Sequence, residues 1–240
     1  MHQERTYRNL LTQDRLIAFR VIVQETDLHV QACTQLSALA KESVLQHRLT
    51  IESFIQQHPD FGTAMTPIQI STPAPDIITD MLGAGTQCGV GPMAAVAGAM
   101  AEYVGHDLLN YSSEIIVENG GDIFIQTARP MTIGIFAHRS PLSMRMGLKI
   151  NERGRPISVC TSSGTVGHSH SFGRADAVTV VSRACPLADA AATAIGNRVK
   201  HRSDLKHAIE FGKQIKGVKG FVIIKDDQAG IWGDLEVTRL

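Results

Sequence analysis

Hydrophobic positions change period several times along the chain, and each change marks an element. Leu16 to Val23, followed by Glu25 to Val30, is dense in β-branched residues and predicts a strand pair. From Cys33 to Gln57 the residues Leu36, Leu39, Ala40 and Val44, then Ile51, Phe54 and Ile55, recur three and four apart, which predicts an amphipathic helix. His58-Pro59 ends it, because a residue before proline is pushed out of the helical region. Phe61 to Asp76, with Pro67, Pro73 and Pro75, reads as an extended connection. Ile77, Ile78, Met81 and Leu82 predict a second helix closed by Gly83. Gly89 to Gly105 predicts a third, with proline just inside its start and glycine at its end.

Strands are then expected over Glu114–Val117, Asp122–Thr127, Thr132–Ala137, Gly147–Ile150, Ile157–Thr161 and Ala177–Ser182. Helices follow near Pro186–Asn197 and Ser203–Gln214, and the chain closes with strands Gly220–Lys225 and Gly230–Trp232. Strands and helices come in blocks rather than in strict β-α-β alternation, so the expected fold class is α+β. No internal repeat, low-complexity tract or linker divides the chain. A single domain over residues 1–240, with room for two lobes, is expected.

Composition narrows the function. The 240 residues are 43 % hydrophobic and only 19 % charged, which excludes disorder over most of the length. The 23 basic and 23 acidic residues cancel, so no global field draws the chain to nucleic acid or to an anionic membrane. The N-terminus is charged and lacks the apolar stretch of a secretory signal, and no apolar run reaches the length of a membrane span. Cys33, Cys88, Cys160 and Cys185 form no CxxC pair and no metal-finger pattern. A cytoplasmic protein with reduced thiols is expected.

Four segments can carry chemistry. In Cys185–Asn197, Asp189 and Thr193 stand four residues apart on one helix face, and two hard oxygen donors there suit Mg²⁺. The same residues have a plain structural use, since an acid early in a helix favours the dipole and a threonine can bond its own backbone. In Val117–Ile123, two adjacent glycines interrupt a strand between Asn119 and Asp122. They either admit a ligand against the backbone amides or form an Asn-Gly hairpin turn. In Cys160–Arg174, hydroxyls, glycine-freed amides and one arginine suit a phosphate cradle, or simply a loop of turn formers. His168 and His170 lack a third ligand for zinc. The glycine-alanine helix lets either a ligand or another helix approach closely.

Taken in order, the small-residue helix, VENGGDIFI, TSSG and VTVVSRACPLADAAATAIGN resemble the FAD:protein FMN transferases, the ApbE-like superfamily. The chain is more closely similar to a cytoplasmic branch of that superfamily, which carries ETDL, VGPMAAVAGA, VENGGD and TSSGTVGHS much as they stand here. The match runs from about Leu16 onward. It implies an α+β fold of mixed or antiparallel sheets packed with helices. It further implies that Asp189 and Thr193, with a backbone carbonyl near Met93 or Ala94, hold a Mg²⁺ that engages the pyrophosphate of FAD. Asn119, Gly120, Gly121 and Asp122, with Thr161, Ser162, Ser163 and Gly164, would line the flavin site.

The implied reaction is attack by a serine or threonine of a client protein on the FMN phosphate, with AMP leaving. Cleavage of the FAD pyrophosphate is its hydrolytic counterpart. The chain departs from the transferases in three places. Gly91 and Ala97 stand where they usually carry an acid and often a lysine, their His-x-x-Asp-Pro segment is missing, and no exported leader like theirs is expected. His168 and His170 are left as the candidate catalytic bases. The alternative is an accessory protein that binds flavin or nucleotide without turnover, as a helper in sulfur assimilation (homocysteine formation). A scaffold for protein contacts is a third. A flavin nucleotide, a client protein and a homo-oligomer are the partners compatible with the resemblance, and neither nucleic acid nor membrane is expected.

Overall fold

The computed structural model describes residues 15–164 and 173–240. Eleven strands and six α-helices are present among them. The chain opens with the hairpin β1 (Ile17–Val23) and β2 (Thr26–Ala32), paired from Ile17↔Ala32 to Val23↔Thr26. The long helix α1 (Ser37–Gln57) follows and buries Ala40, Val44, Ile51 and Phe54 on one face. The expected extended connection contains a short helix, α2 (Pro59–Thr63), started by Pro59 and anchored by the fully buried Phe61.

The next helix, α3 (Asp76–Cys88), runs through Gly83 and ends at Gly89, whose φ of 73° supplies the left-handed cap. Gly83 lies mid-helix because the apolar stripe continues beyond it through Ala84 and Cys88, and burial of that stripe outweighs glycine's weak helix preference. The small-residue segment is a 3₁₀ turn (Pro92–Ala95) leading into α4 (Val96–Leu109), which continues past Gly105. Gly105 sits inside the helix because the Phe124 ring packs where its Cβ would be.

Six strands follow: β3 (Ile115–Asn119), β4 (Asp122–Gln126), β5 (Met131–Gly134), β6 (Met146–Ile150), β7 (Ile157–Ser162) and β8 (Ala177–Ser182). After them come α5 (Cys185–Gly196), a short 3₁₀ turn, α6 (Leu205–Gly212), β9 (Val218–Lys225), β10 (Gln228–Gly233) and β11 (Glu236–Arg239). The last strand was not expected from the sequence. Its four residues are largely exposed and carry no apolar alternation, and pairing with β6 creates it.

The strands form an eight-stranded antiparallel sheet in the order β1-β2-β3-β4-β7-β8-β9-β10 and a three-stranded sheet in the order β11-β6-β5. Helices cover one face of the large sheet and the small sheet covers part of the other. Alternation along each strand divides the side chains accordingly. Val117, Phe124, Cys160, Val180 and Phe221 pack with the helices. Ile116, Ile125, Val159, Val181 and Val222 pack toward the small sheet. Central strands are buried on both faces and lose the apolar–polar alternation, as in AVTVVS of β8, all six of whose residues are buried. No helix among the described residues is long and apolar enough to cross a membrane.

Candidate functional site

The segments singled out in the sequence converge at the contact between α4, α5 and the central strands. Helices α4 and α5 lie against each other and fit through Gly98, where a Cβ would stand 2.5 Å from the carbonyl oxygen of Cys185 and 2.9 Å from Cβ of Asp189. The small residues of α4 at this point therefore admit α5 itself. Each helix then satisfies the other's first turn. Oδ2 of Asp189 accepts the backbone N–H of Gly98 at 2.9 Å, and Oε2 of Glu102 accepts the N–H of Cys185. Free N–H groups at a helix start favour a carboxylate both by hydrogen bonding and by the dipole. Nothing in the local sequence pointed to Glu102, because its partner lies in a different helix.

The hairpin of β3 and β4 reaches the same place. Asn119 and Asp122 are cross-strand partners joined by Gly120 and Gly121, with φ of 70° and 111°. Both glycines have positive φ, as the tight hairpin turns with matching twist require. The turn also places both polar side chains on the helix side of the sheet. Asn119 Nδ2 donates to the carbonyl of Ala97 at 3.0 Å, and Asp122 lies within electrostatic reach of Asp189. On the far face, Glu118 accepts the Gly121 N–H at 2.8 Å and locks the turn.

Two buried carboxylates act on one another electrostatically here. Asp189 is 9 % exposed, and burial raises its pKa to about 7 against the opposing pull of the Gly98 and Ala97 N–H groups. Asp122 is 6 % exposed and is held well above the ordinary carboxylate range by burial and then by the negative charge of Asp189. Its Oδ1 is buried without a hydrogen-bond partner. Thr193 is half-buried one turn beyond Asp189, and the turn carrying Ala94 packs against α5. Among the described residues no three His, Cys, Asp or Glu side chains gather to hold a metal. A cation at this place would draw on the hydroxyl and carbonyl oxygens beside the carboxylates. A buried oxygen without a partner, in the field of a second carboxylate, is the chemistry of a donor that suits a hard divalent ion.

The TSSG segment divides between faces. Thr161 donates its backbone N–H to the carbonyl of Gly121 at 3.1 Å, but its Oγ1 pairs with Oγ1 of Thr179 at 2.9 Å, on the side away from α5. Ser162 is buried on the helix side of β7, and Ser163 and Gly164 leave the strand half-buried. Gly164 donates its N–H to the carbonyl of Ala175 at 3.0 Å. Strand alternation thus offers the Thr161 backbone, and not its hydroxyl, to the site. His168 and His170 lie outside the described residues.

The family model described as AbpE bacteria matches residues 8–231. A UPF0280 protein of Methanococcus aeolicus is 38 % identical over 226 residues, covering 92 % of this chain and 91 % of that relative. One from Methanococcus vannielii is also 38 % identical over 226 residues, covering 92 % of each. Among solved structures, the apo flavinyl transferase ApbE of Pseudomonas stutzeri matches with a TM-score of 0.59 at 14 % identity, over 95 % of this chain and 96 % of that one. The flavin transferase ApbE of Vibrio cholerae matches with a TM-score of 0.56 at 12 % identity, over 90 % and 96 %. These two likenesses are of fold. By its match to the family model and to the archaeal relatives, the chain belongs to the AbpE bacteria family, and it shares its fold with the ApbE structures.

Proposed function

We propose that the protein is a Mg²⁺-dependent FAD-binding protein that acts as an FMN transferase. The observation that carries this reading is the buried Asp122–Asp189 pair beside Thr193, a charge arrangement that a bound cation would relieve. Asp189, Thr193 and the Ala94 carbonyl would hold the ion, and Mg²⁺ supplies charge neutralisation at the pyrophosphate.

The chain's own residues do the positioning. Gly98 fixes the Asp189 carboxylate, Asn119 ties the glycine turn to the start of α4, and the positive φ of Gly120 and Gly121 would present backbone amides to a flavin. In the transfer, a serine or threonine oxygen of the client forms a bond to the FMN phosphorus. The pyrophosphate P–O bond breaks, AMP leaves, and the hydroxyl proton passes to a base. His168 and His170 are the candidates for that base, which would contribute about 10²–10⁴ in rate.

A second reading is supported by the burial of Asp189 in its cap to α4, which suits a binding role without turnover. This is the flavin- or nucleotide-binding accessory, with sulfur assimilation as its setting. The experiment is to incubate the purified protein with FAD and Mg²⁺, with and without a client carrying an acceptor serine or threonine. AMP release that needs Mg²⁺ supports the transferase. Bound FAD with no AMP supports the accessory, and neither binding nor release removes both.

A further inference from the structure

The proposed reaction leaves unused a pair of thiols beneath the two carboxylates. Cys160 on β7 and Cys185 at the start of α5 are both fully buried, with their Sγ atoms 3.4 Å apart. The Cys160 thiol also lies 3.5 Å from the Cys185 carbonyl oxygen. The two belong to different layers, one to the sheet and one to the helices. Cys160 is the cross-strand partner of Asp122 in the β4–β7 ladder, while Cys185 precedes Asp189 by one turn of α5. Sulfur atoms at van der Waals contact need only a small side-chain adjustment to bond.

We propose that Cys160 and Cys185 are a reversible dithiol–disulfide pair which, oxidised by a peroxide, joins β7 to α5 beneath the Asp122–Asp189 site. One sulfur attacks a peroxide oxygen, the O–O bond breaks, and a sulfenic acid forms with release of water. The second sulfur displaces the sulfenic hydroxyl, which leaves as water, and the S–S bond forms. Two thiols and one hydrogen peroxide thus give one disulfide and two waters, the sulfurs losing two electrons and the peroxide gaining them. Burial disfavours the thiolate at both residues, so oxidation is slow compared with the exposed Cys33. The same burial shields the bond from bulky reductants. Oxidation removes the S–H that Cys160 directs at the Cys185 carbonyl and ties β7 to α5 beside the cross-strand partner Asp122. Formation of the bond stands apart from the flavin reading, and only its effect on ligand affinity rests on that reading.

The test uses the full chain with Cys33→Ser, treated with hydrogen peroxide below its melting temperature, then denatured, alkylated and digested. The expected product is a peptide joining Cys160 to Cys185, lighter by about 2 Da than the two thiol peptides and absent after reduction. It disappears in Cys160→Ser and in Cys185→Ser, with the Ala variants used if a Ser variant loses its cooperative melt. Closing this loop raises Tm by about 6–12 °C. Full alkylation of both cysteines, sulfinic acids without a crosslink, or a crosslink formed only after unfolding overturns the proposal. A crosslink in a protein that binds no FAD in either redox state supports the dithiol and removes the flavin reading alone.

Discussion

Asp189 of α5 accepts the backbone N–H of Gly98 in α4, and the same Gly98 has no room for a side chain because Asp189 and Cys185 fill it. The pair sets the spacing of the two helices that frame the candidate site. Gly98→Ala is expected to cost about 1–3 kcal/mol, because helix packing must open to admit the methyl group. Urea denaturation reads the loss, and Mg²⁺ affinity should fall with it, since Asp189 moves with α5. A variant as stable as the parent would show that the helices adjust freely.

Asp189→Asn separates stability from binding. The amide oxygen can still accept from Gly98, while the desolvated charge is gone. The folded pKa of about 7 lies above the unfolded 3.8, so the stability linked to this group is full below 3.8 and is lost as pH rises through 7. At pH 8 and without metal, the Asn variant should be more stable than the parent by on the order of 1–3 kcal/mol. At pH 4 the difference should vanish. Adding Mg²⁺ should raise the parent's Tm at pH 8 and leave that of the variant unchanged, and removing the ion with a chelator should reverse the rise.

Thr193 is half-buried, so Thr193→Ala should change stability by no more than about 0.5–1 kcal/mol. Its effect should fall on the ion, with roughly tenfold weaker Mg²⁺ binding by calorimetry. Undiminished binding would remove the hydroxyl from the donor set.

Glu114 gives an independent acid-stability prediction far from the site. Its carboxylate is 12 % exposed, pairs with the two terminal guanidinium nitrogens of Arg15, and accepts the Ala128 N–H at 2.6 Å. The Arg15 hydrogen bond holds its pKa below the ordinary 4.5. The associated stability is present above pH 4.5 and disappears as pH falls through the lower folded value. Glu114→Gln should cost about 1.5–3 kcal/mol at pH 7 and progressively less in acid, as read from the pH dependence of urea midpoints.

Several boundaries escaped a local reading for identifiable reasons. Gly83 and Gly105 look like helix stops, but packing of Ala84 and Cys88 in one helix and the Phe124 ring against the other carries both helices onward. The residues Pro59–Thr63 form a turn of helix because Phe61 finds a fully buried seat. The glycines of α4 suggested an opening for a ligand, and at Gly98 the visitor is α5. The Asn-Gly turn served both readings at once, as a hairpin and as the bracket that aims Asn119 and Asp122 at the helices.

What the amino-acid order settles by itself is local: period, turn chemistry and the spacing of Asp189 and Thr193 follow from backbone geometry over a few residues. Which carboxylates share a desolvated space, that Glu102 serves α5, that the Thr161 hydroxyl faces away, and that Cys160 touches Cys185 all depend on how the layers stack. These pairs lie far apart along the chain, and burial with its electrostatic consequences exists only once the helices close over the sheet.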